Sequence, residues 1–421
     1  IWGDNGSSSE GQLGSISELL AQNNIPNTVE QQLAALDRLG GLDALGTPKT
    51  DNMYHAGWAW AGSTPFKGTK LLASYFGGTR NPMVISWPKK IKPSAEVRSQ
   101  FHHVIDIAPT LYEILDITPP TVVNGYEQMP IDGTSFAYTF EDADAPSQRT
   151  TQFFDNNGSR AIYKNGWMAC TFGPFIPWDS PASVPRIKKW DSATDEWELY
   201  NLDEDFSQAN NLAASMPEKL AELKAEFMEI AEANKDFPIG AGNWLRLHPE
   251  DRIKTPYTKW TFTANTRRMP EFTAPGVGRE SNHVTIDLDV PENANGVLYA
   301  VGGSSGGVTL YMEDGKLKYL YNMLIIEQYA ASSTDTIAPG KHKIEVVTDI
   351  VGPGKSGTAT LLVDGQEVGK AELKRTVPAA FTASESFDVG VDLGATVSLD
   401  YAEKRPFEFD GTIRTVKVEM K

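Results

Sequence analysis

Residues 1–11 read IWGDNGSSSEG. An apolar start, Ile1-Trp2-Gly3, runs straight into an Asp4-Asn5-Gly6 turn. Asp, Asn and Gly are turn formers, so the stretch reads as a strand end followed by a tight reversal. In α/β sheets, ligands bind outside the carboxyl ends of the strands. Asp4 and Asn5 then place a carboxylate and an amide carbonyl at such an end, hard oxygen donors suited to Ca2+ or Mg2+. An ordinary turn is the competing reading; a second Asp-Asn, Asp51-Asn52, shows how common the pair is.

Working outward, TVEQQLAALDRLGG (28–41) carries Val29, Leu33, Leu36 and Leu39 at helical spacing, with Gly40 and Gly41 as a stop. NPMVISWP (81–88) reads as a short strand between Pro82 and Pro88. VIDIAPTLYEILDI (104–117) reads as a helix with Leu111, Ile114 and Leu115 on one face and Pro109 near its start. Strands alternating with helices predict an α/β segment over residues 1–135, its sheet covered on both sides.

Residues 136–240 differ. SRAIYKNGWMACTF (159–172) and WELYNL (197–202) are aromatic-rich and strand-like, and predict a small antiparallel sheet. MPEKLAELKAEFMEIAEANKD (216–236) predicts an amphipathic helix with Leu220, Leu223, Phe227 and Ile230 inward. Residues 241–275 read as a connector. Residues 276–421 hold short strands with turn signals, including LLVDGQEVG (361–369) with Asp364-Gly365 as its turn. That pattern predicts an all-β sandwich of jelly-roll type.

The chain has 421 residues and a net charge of -17, which disfavours broad binding to a nucleic-acid polyanion. No apolar run approaches the length of a membrane span. One cysteine, Cys170, allows neither an internal disulfide framework nor a Cys-rich metal site; its apolar flanks read as a packed strand. An acidic chain with one Cys fits the periplasm or a secreted state, and equally the cytoplasm.

Other side chains can carry chemistry. Lys70, in TPFKGTKLLASYFGGTR (64–80), offers a compact positive charge to an anion, against the alternative of a solvated lysine. Gly77 and Gly78 before Arg80 suggest a turn needing permissive backbone; a phosphate cradle is the sharper alternative. His102 and His103 would face opposite ways on a strand and read as structural. His55 is a candidate for the mouth of a site.

The order of the segments says more. GDNGSSSEG (3–11), HAGWAWAGSTPFKGTKLLASYFGGTRNPMVISWPKKI (55–91), RSQFHHVIDIAPTLYEILDI (98–117), PIDGTSFAYTF (130–140) and WELYNLDEDFSQANNLA (197–213) together resemble the second half of a formylglycine-dependent arylsulfatase, with an alkaline-phosphatase-like fold. The all-β tail resembles the lectin-like sandwich of longer bacterial arylsulfatases. The resemblance implies that Asp4 and Asn5 ligate a divalent cation, usually Ca2+, and that Lys70 contacts the substrate sulfate. It implies a sulfate ester substrate, aryl or carbohydrate. The family's nucleophile arises in a Cys/Ser-x-Pro-x-Arg motif, and these 421 residues contain none. The resulting expectation is a chain that starts at the last metal-ligand strand, lacks the first half of the sulfatase domain as its partner, and is inactive by itself. A phosphonate or phosphate ester hydrolase of the same superfamily, and a carbohydrate-binding module over residues 276–421, are the alternatives.

Overall fold

A computed structural model of the chain describes residues 1–3, 5–92, 96–248, 251, 255–382 and 384–421. They form two compact units that interleave along the sequence. One takes Ile1–Gln12 with Tyr54–His248, and the other Leu13–Met53 with Pro249–Lys421. Residues 13–53, read from sequence as part of the α/β segment, thus pack within the β-rich unit.

That inserted segment carries α1 (Ser17–Gln22) and α2 (Val29–Leu39). The Thr28 side chain caps α2 by accepting from the Gln31 N–H, and Gly40 ends it at a φ of 118°. The predicted stripe is rotated: Val29 and Leu33 are exposed, while Ala35 and Leu36 pack with Ile16, Leu19, Leu20 and Ile325. Asn23 secures the segment, accepting from Arg375 Nη2 at 2.6 Å and donating to the Leu324 carbonyl at 3.1 Å.

In the first unit, α3 (Ala56–Gly62), α4 (Phe76–Thr79) and α5 (Ile107–Ile114) are joined by long loops. Residues 82–88, predicted as a strand, form one antiparallel bridge, Met83 with Trp2. It is closed by the Gly3 N–H on the Pro82 carbonyl and the Val84 N–H on the Ile1 carbonyl. Val84 and Ile85 stay exposed, so burial does not extend the ladder. The apolar stripe of α5 also faces outward, with Leu111 and Leu115 exposed. A two-residue hairpin follows, β1 (Val122–Val123) with β2 (Tyr126–Glu127).

The predicted small sheet is four-stranded and antiparallel: β3 (Thr151–Asn156), β4 (Ser159–Lys164), β5 (Trp167–Thr171) and β6 (Glu198–Asn201), neighbours in that order. Alternation sends Ile162, Ala169 and Leu199 to one face, where they meet Leu223, Phe227 and Ala231 of α7 (Pro217–Ala233). Ala161, Met168, Cys170 and Tyr200 take the other face, against Leu72, Tyr75 and Phe76. Cys170 is therefore a fully buried core thiol. Between β5 and β6 lies α6 (Ser180–Lys189), in a stretch read as loop; Asp179 caps it by accepting from the Ala182 N–H, with Pro181 in its first turn. A short helix, α8 (Ala241–Leu247), follows α7.

The β-rich unit faces two six-stranded antiparallel sheets across one core. Its strands are β7 (Lys259–Phe262), β8 (Met269–Pro270), β9 (Asn282–Val290), β10 (Gly296–Gly303), β11 (Gly306–Glu313) and β12 (Lys316–Met323). They continue with β13 (Glu327–Ser332), β14 (Gly340–Ile350), β15 (Gly357–Val363), β16 (Gln366–Leu373), β17 (Ser386–Val389) and β18 (Thr412–Met420). One sheet runs β13-β12-β11-β10-β17-β8 and the other β16-β15-β14-β9-β18-β7. The chain passes between them at the β7–β8, β8–β9, β9–β10, β13–β14, β16–β17 and β17–β18 connections, the exchange of a jelly roll. In β9, Val284, Ile286, Leu288 and Val290 point inward and alternate with partly exposed residues. Asp364 and Gly365, both at positive φ, turn β15 into β16. The stretch read as a connector contributes β7 and β8, an edge strand to each sheet.

Candidate functional site

The loop of residues 5–10 is held by three segments of its own unit. The Gly6 N–H donates to the Gly78 carbonyl at 3.0 Å, and the Lys70 N–H to the Ser7 carbonyl at 3.0 Å. The Ser9 and Thr69 hydroxyls lie 2.7 Å apart in the interior. The Ser8 N–H donates to the Tyr54 hydroxyl at 3.2 Å. Asn5, at the exposed start of the loop, thereby shares one small region with Lys70. Asp4 lies outside the described residues.

Glycine makes this stacking feasible. A Cβ on Gly6 would fall 1.8 Å from the Gly77 carbonyl oxygen; one on Gly77 would fall 2.1 Å from the Gly68 carbonyl, and one on Gly78 2.1 Å from the Leu72 carbonyl. Gly77 and Gly78 are helical residues of α4, so what they provide is close backbone approach rather than a permissive turn.

The two lysines of this segment diverge. Lys67, about one-third exposed, donates to the Tyr200 hydroxyl at 2.6 Å and to Glu198 at 3.4 Å, with its ammonium 4.4 Å from the Tyr75 ring centre. Burial, then the Glu198 carboxylate, pushes the Tyr200 phenol far above its ordinary range. Lys70 stays at the loop, about one-third exposed, its Nζ 2.7 Å from Glu10 Oε2. Glu10 also accepts from the Ser8 hydroxyl at 3.0 Å. Just beyond, Leu71 has a φ of 77°, which is strained for a branched side chain. Its carbonyl accepts from Asn156 Nδ2 at 3.1 Å. The backbone is thus bent at the residue that follows the ammonium.

His55 lies beside the loop as the N-cap of α3, its Nδ1 accepting from the Gly57 N–H at 2.9 Å. That fixes the remaining proton of the neutral ring on Nε2. His102 and His103 instead gather around one carboxylate. His102 Nδ1 is 3.6 Å from Asp106 Oδ2, and the His103 N–H donates to the same oxygen at 2.9 Å. Sequence reasoning missed what this carboxylate does. Asp106 is fully buried and takes Arg149 through Nε, at 3.0 and 2.9 Å, and through Nη2. Burial alone would raise the Asp106 pKa. His102, Arg149 and the N–H groups of His103 and Thr134 outweigh it and hold the carboxyl well below its ordinary range. Burial, then the Arg149 charge, lowers His103.

Residues 1–117 match the family model described as Sulfatase. An uncharacterized sulfatase of Schizosaccharomyces pombe is 30% identical over 195 residues, covering 46% of this chain and 32% of that protein. The N-acetylgalactosamine-6-O-sulfatase of Bacteroides thetaiotaomicron is 29% identical over 175 residues, covering 40% of this chain and 30% of that protein. The chain thus matches about a third of the length of these curated relatives. Among solved structures, the 6S-sulf protein from a glycosaminoglycan-metabolism locus of the same bacterium is 24% identical, covering 42% of this chain and 35% of that one at a TM-score of 0.33.

Proposed function

We propose, from the sulfatase segment at residues 1–117, that this chain carries the sulfate-binding and part of the cation-binding side of a sulfuric ester hydrolase of arylsulfatase type. The observation that carries the reading is Lys70, whose backbone N–H is anchored on Ser7 and whose ammonium pairs with Glu10 of the same loop, while the Lys67 ammonium is bonded to Tyr200 and Glu198. Lys70 binds a sulfuryl oxygen of the ester as a charge-assisted donor. Its present partner, Glu10, competes with the substrate anion for the same Nζ. Ser7, Ser8 and Ser9 hold the loop that follows Asn5 against Lys70, Tyr54 and Thr69, which supports the reading of Asn5 and Lys70 as parts of one site.

For the cation, the donor chemistry of Asp4 and Asn5 fits a hard ion such as Ca2+. They provide two of the roughly six to eight oxygens that Ca2+ takes. Among the described residues no group of three or more His, Cys, Asp and Glu side chains gathers to complete the sphere. When bound, the ion supplies charge stabilisation at the sulfuryl oxygens. The sequence contains no Cys/Ser-x-Pro-x-Arg motif, so in this reading the nucleophile comes from another polypeptide segment.

The test is hydrolysis of 4-nitrophenyl sulfate by the purified chain, alone and co-expressed with a sulfatase segment that carries the motif. The expected result is no turnover alone and turnover in the pair, abolished by Lys70→Ala. Turnover by the chain alone that survives Lys70→Ala would contradict the reading.

A further inference from the structure

A second polar site lies at the turn between β3 and β4, with no part in the chemistry above. Asn157 and Gly158, both at positive φ, make this turn, flanked by Asp155 and Arg160, which pair across the strands. Asp155 Oδ1 accepts from the Gly158 N–H at 3.3 Å, but Oδ2 is buried with no hydrogen-bond partner. Asn243 of α8 is completely buried; its Nδ2 donates to the Asn157 carbonyl of the turn, and its Oδ1 has no partner. Asp236, in the α7–α8 loop, likewise buries an unpartnered Oδ2, and its charge acts directly on Asp155. Trp190 closes the region from the side. Its ring would lie 2.6 Å from a Cβ on Gly158 and 2.4 Å from one on Gly240.

The local charges do not cancel. Arg160 is the cation nearby: its Nη1 donates to Asp195 at 2.8 Å and to the Gly158 carbonyl and its Nη2 to the Ser192 carbonyl, while its Nε is buried without a partner. Asp195 balances it. Two carboxylates remain, each with a buried oxygen that no donor reaches, and Asn243, bonded to the same turn, buries an amide oxygen in the same condition. Buried anions left like this cost several kcal/mol each. Hard oxygens without donors are what an oxygen-loving cation takes as ligands.

We propose that Asp155 Oδ2, Asp236 Oδ2 and Asn243 Oδ1 ligate a structural divalent cation of the size of Ca2+, which fastens the α7–α8 loop to the β3–β4 turn. The set contains no sulfur or imidazole, so it favours Ca2+ over Zn2+. Its ligands are residues other than Asp4 and Asn5.

The experiment titrates the full chain carrying Asp4→Ala with Tb3+, reading luminescence excited through tryptophan, since Trp190 lies against the turn. Saturable binding displaced by Ca2+ is expected. Asp236→Asn, nearly isosteric, should weaken it tenfold or more, while Asn243→Asp, which adds a charged ligand, should tighten it. Ca2+ should raise the melting temperature and chelator should reverse the rise. Absence of Tb3+ binding in the Asp4→Ala chain overturns the proposal, as does binding untouched by Asp236→Asn. Asp236→Asn that raises the melting temperature without any metal effect also overturns it, and assigns the two carboxyls to a shared proton. Loss of sulfate binding at Lys70 would leave this result standing, so the two readings fail separately.

Discussion

Lys70 Nζ lies 2.7 Å from Glu10 Oε2, although 60 residues separate the two in sequence. The pair is partly exposed, so its net stabilisation is small, of order 0–1 kcal/mol. Its consequence is electrostatic: the carboxylate masks the charge proposed to receive sulfate. Glu10→Gln should therefore tighten binding of inorganic sulfate about two- to fivefold at low ionic strength, the range that such a pair energy allows. Isothermal titration of sulfate checks it, and the gain should fade with added salt.

The backbone stacking of Gly6 on Gly77 makes a sharper prediction. A methyl 1.8 Å from a carbonyl oxygen has nowhere to go without moving the loop or α4. Gly6→Ala should destabilise the first unit by about 3 kcal/mol, at the upper end for overpacking. Gly46→Ala meets no atom within 4 Å, although its φ of 74° adds backbone strain, and it should cost about 1 kcal/mol. Denaturant unfolding of both variants gives the comparison.

Arg149→Met would leave the Asp106 carboxylate buried with its main partner gone. The expected loss is roughly 3–5 kcal/mol. Because the folded Asp106 pKa is depressed, the pair's contribution is present above the ordinary carboxylate range and is lost as pH falls below it. Acid unfolding should accordingly be much less pronounced in Arg149→Met with Asp106→Leu than in the parent chain.

The β-rich unit should show the opposite pH trend. Asp392 is almost wholly buried, its Oδ2 accepting from the Tyr401 hydroxyl at 2.6 Å and the Val397 N–H at 2.9 Å, with Oδ1 unpartnered. Burial first, and then Asp388 and Glu385, push its pKa up to about 7 from 3.8. The folded state then binds a proton that the unfolded state has released, so stability falls as pH rises from about 4 to 7. The change is on the order of 3 kcal/mol. Asp392→Asn should flatten this slope, as read by urea unfolding across that range.

What could be read in advance follows the range of the interactions. The alternation of β9, the Asp364-Gly365 turn and the apolar face of α7 are local patterns, and each is visible in consecutive residues. The division into units is not, because it depends on Ala35 and Leu36 meeting Ile325, far away in the chain. Lys70 stood out by its charge and setting, but Glu10 did not, since nothing local marks a carboxylate as its partner. Gly77 and Gly78 were visible as a pair, while their reason, the approach of Gly68 and Leu72 carbonyls, is tertiary. Asp106 sits in an apolar helix start, and only its pairing with Arg149, 43 residues on, reveals what it does.

The most direct test of the sulfate-site claim is calorimetric titration of 4-nitrophenyl sulfate into the full chain and into Lys70→Ala. Lys70→Ala should weaken binding about tenfold or more relative to the parent chain, the loss expected for a charge-assisted contact. Equal affinity in the two proteins, with both folded, would contradict it.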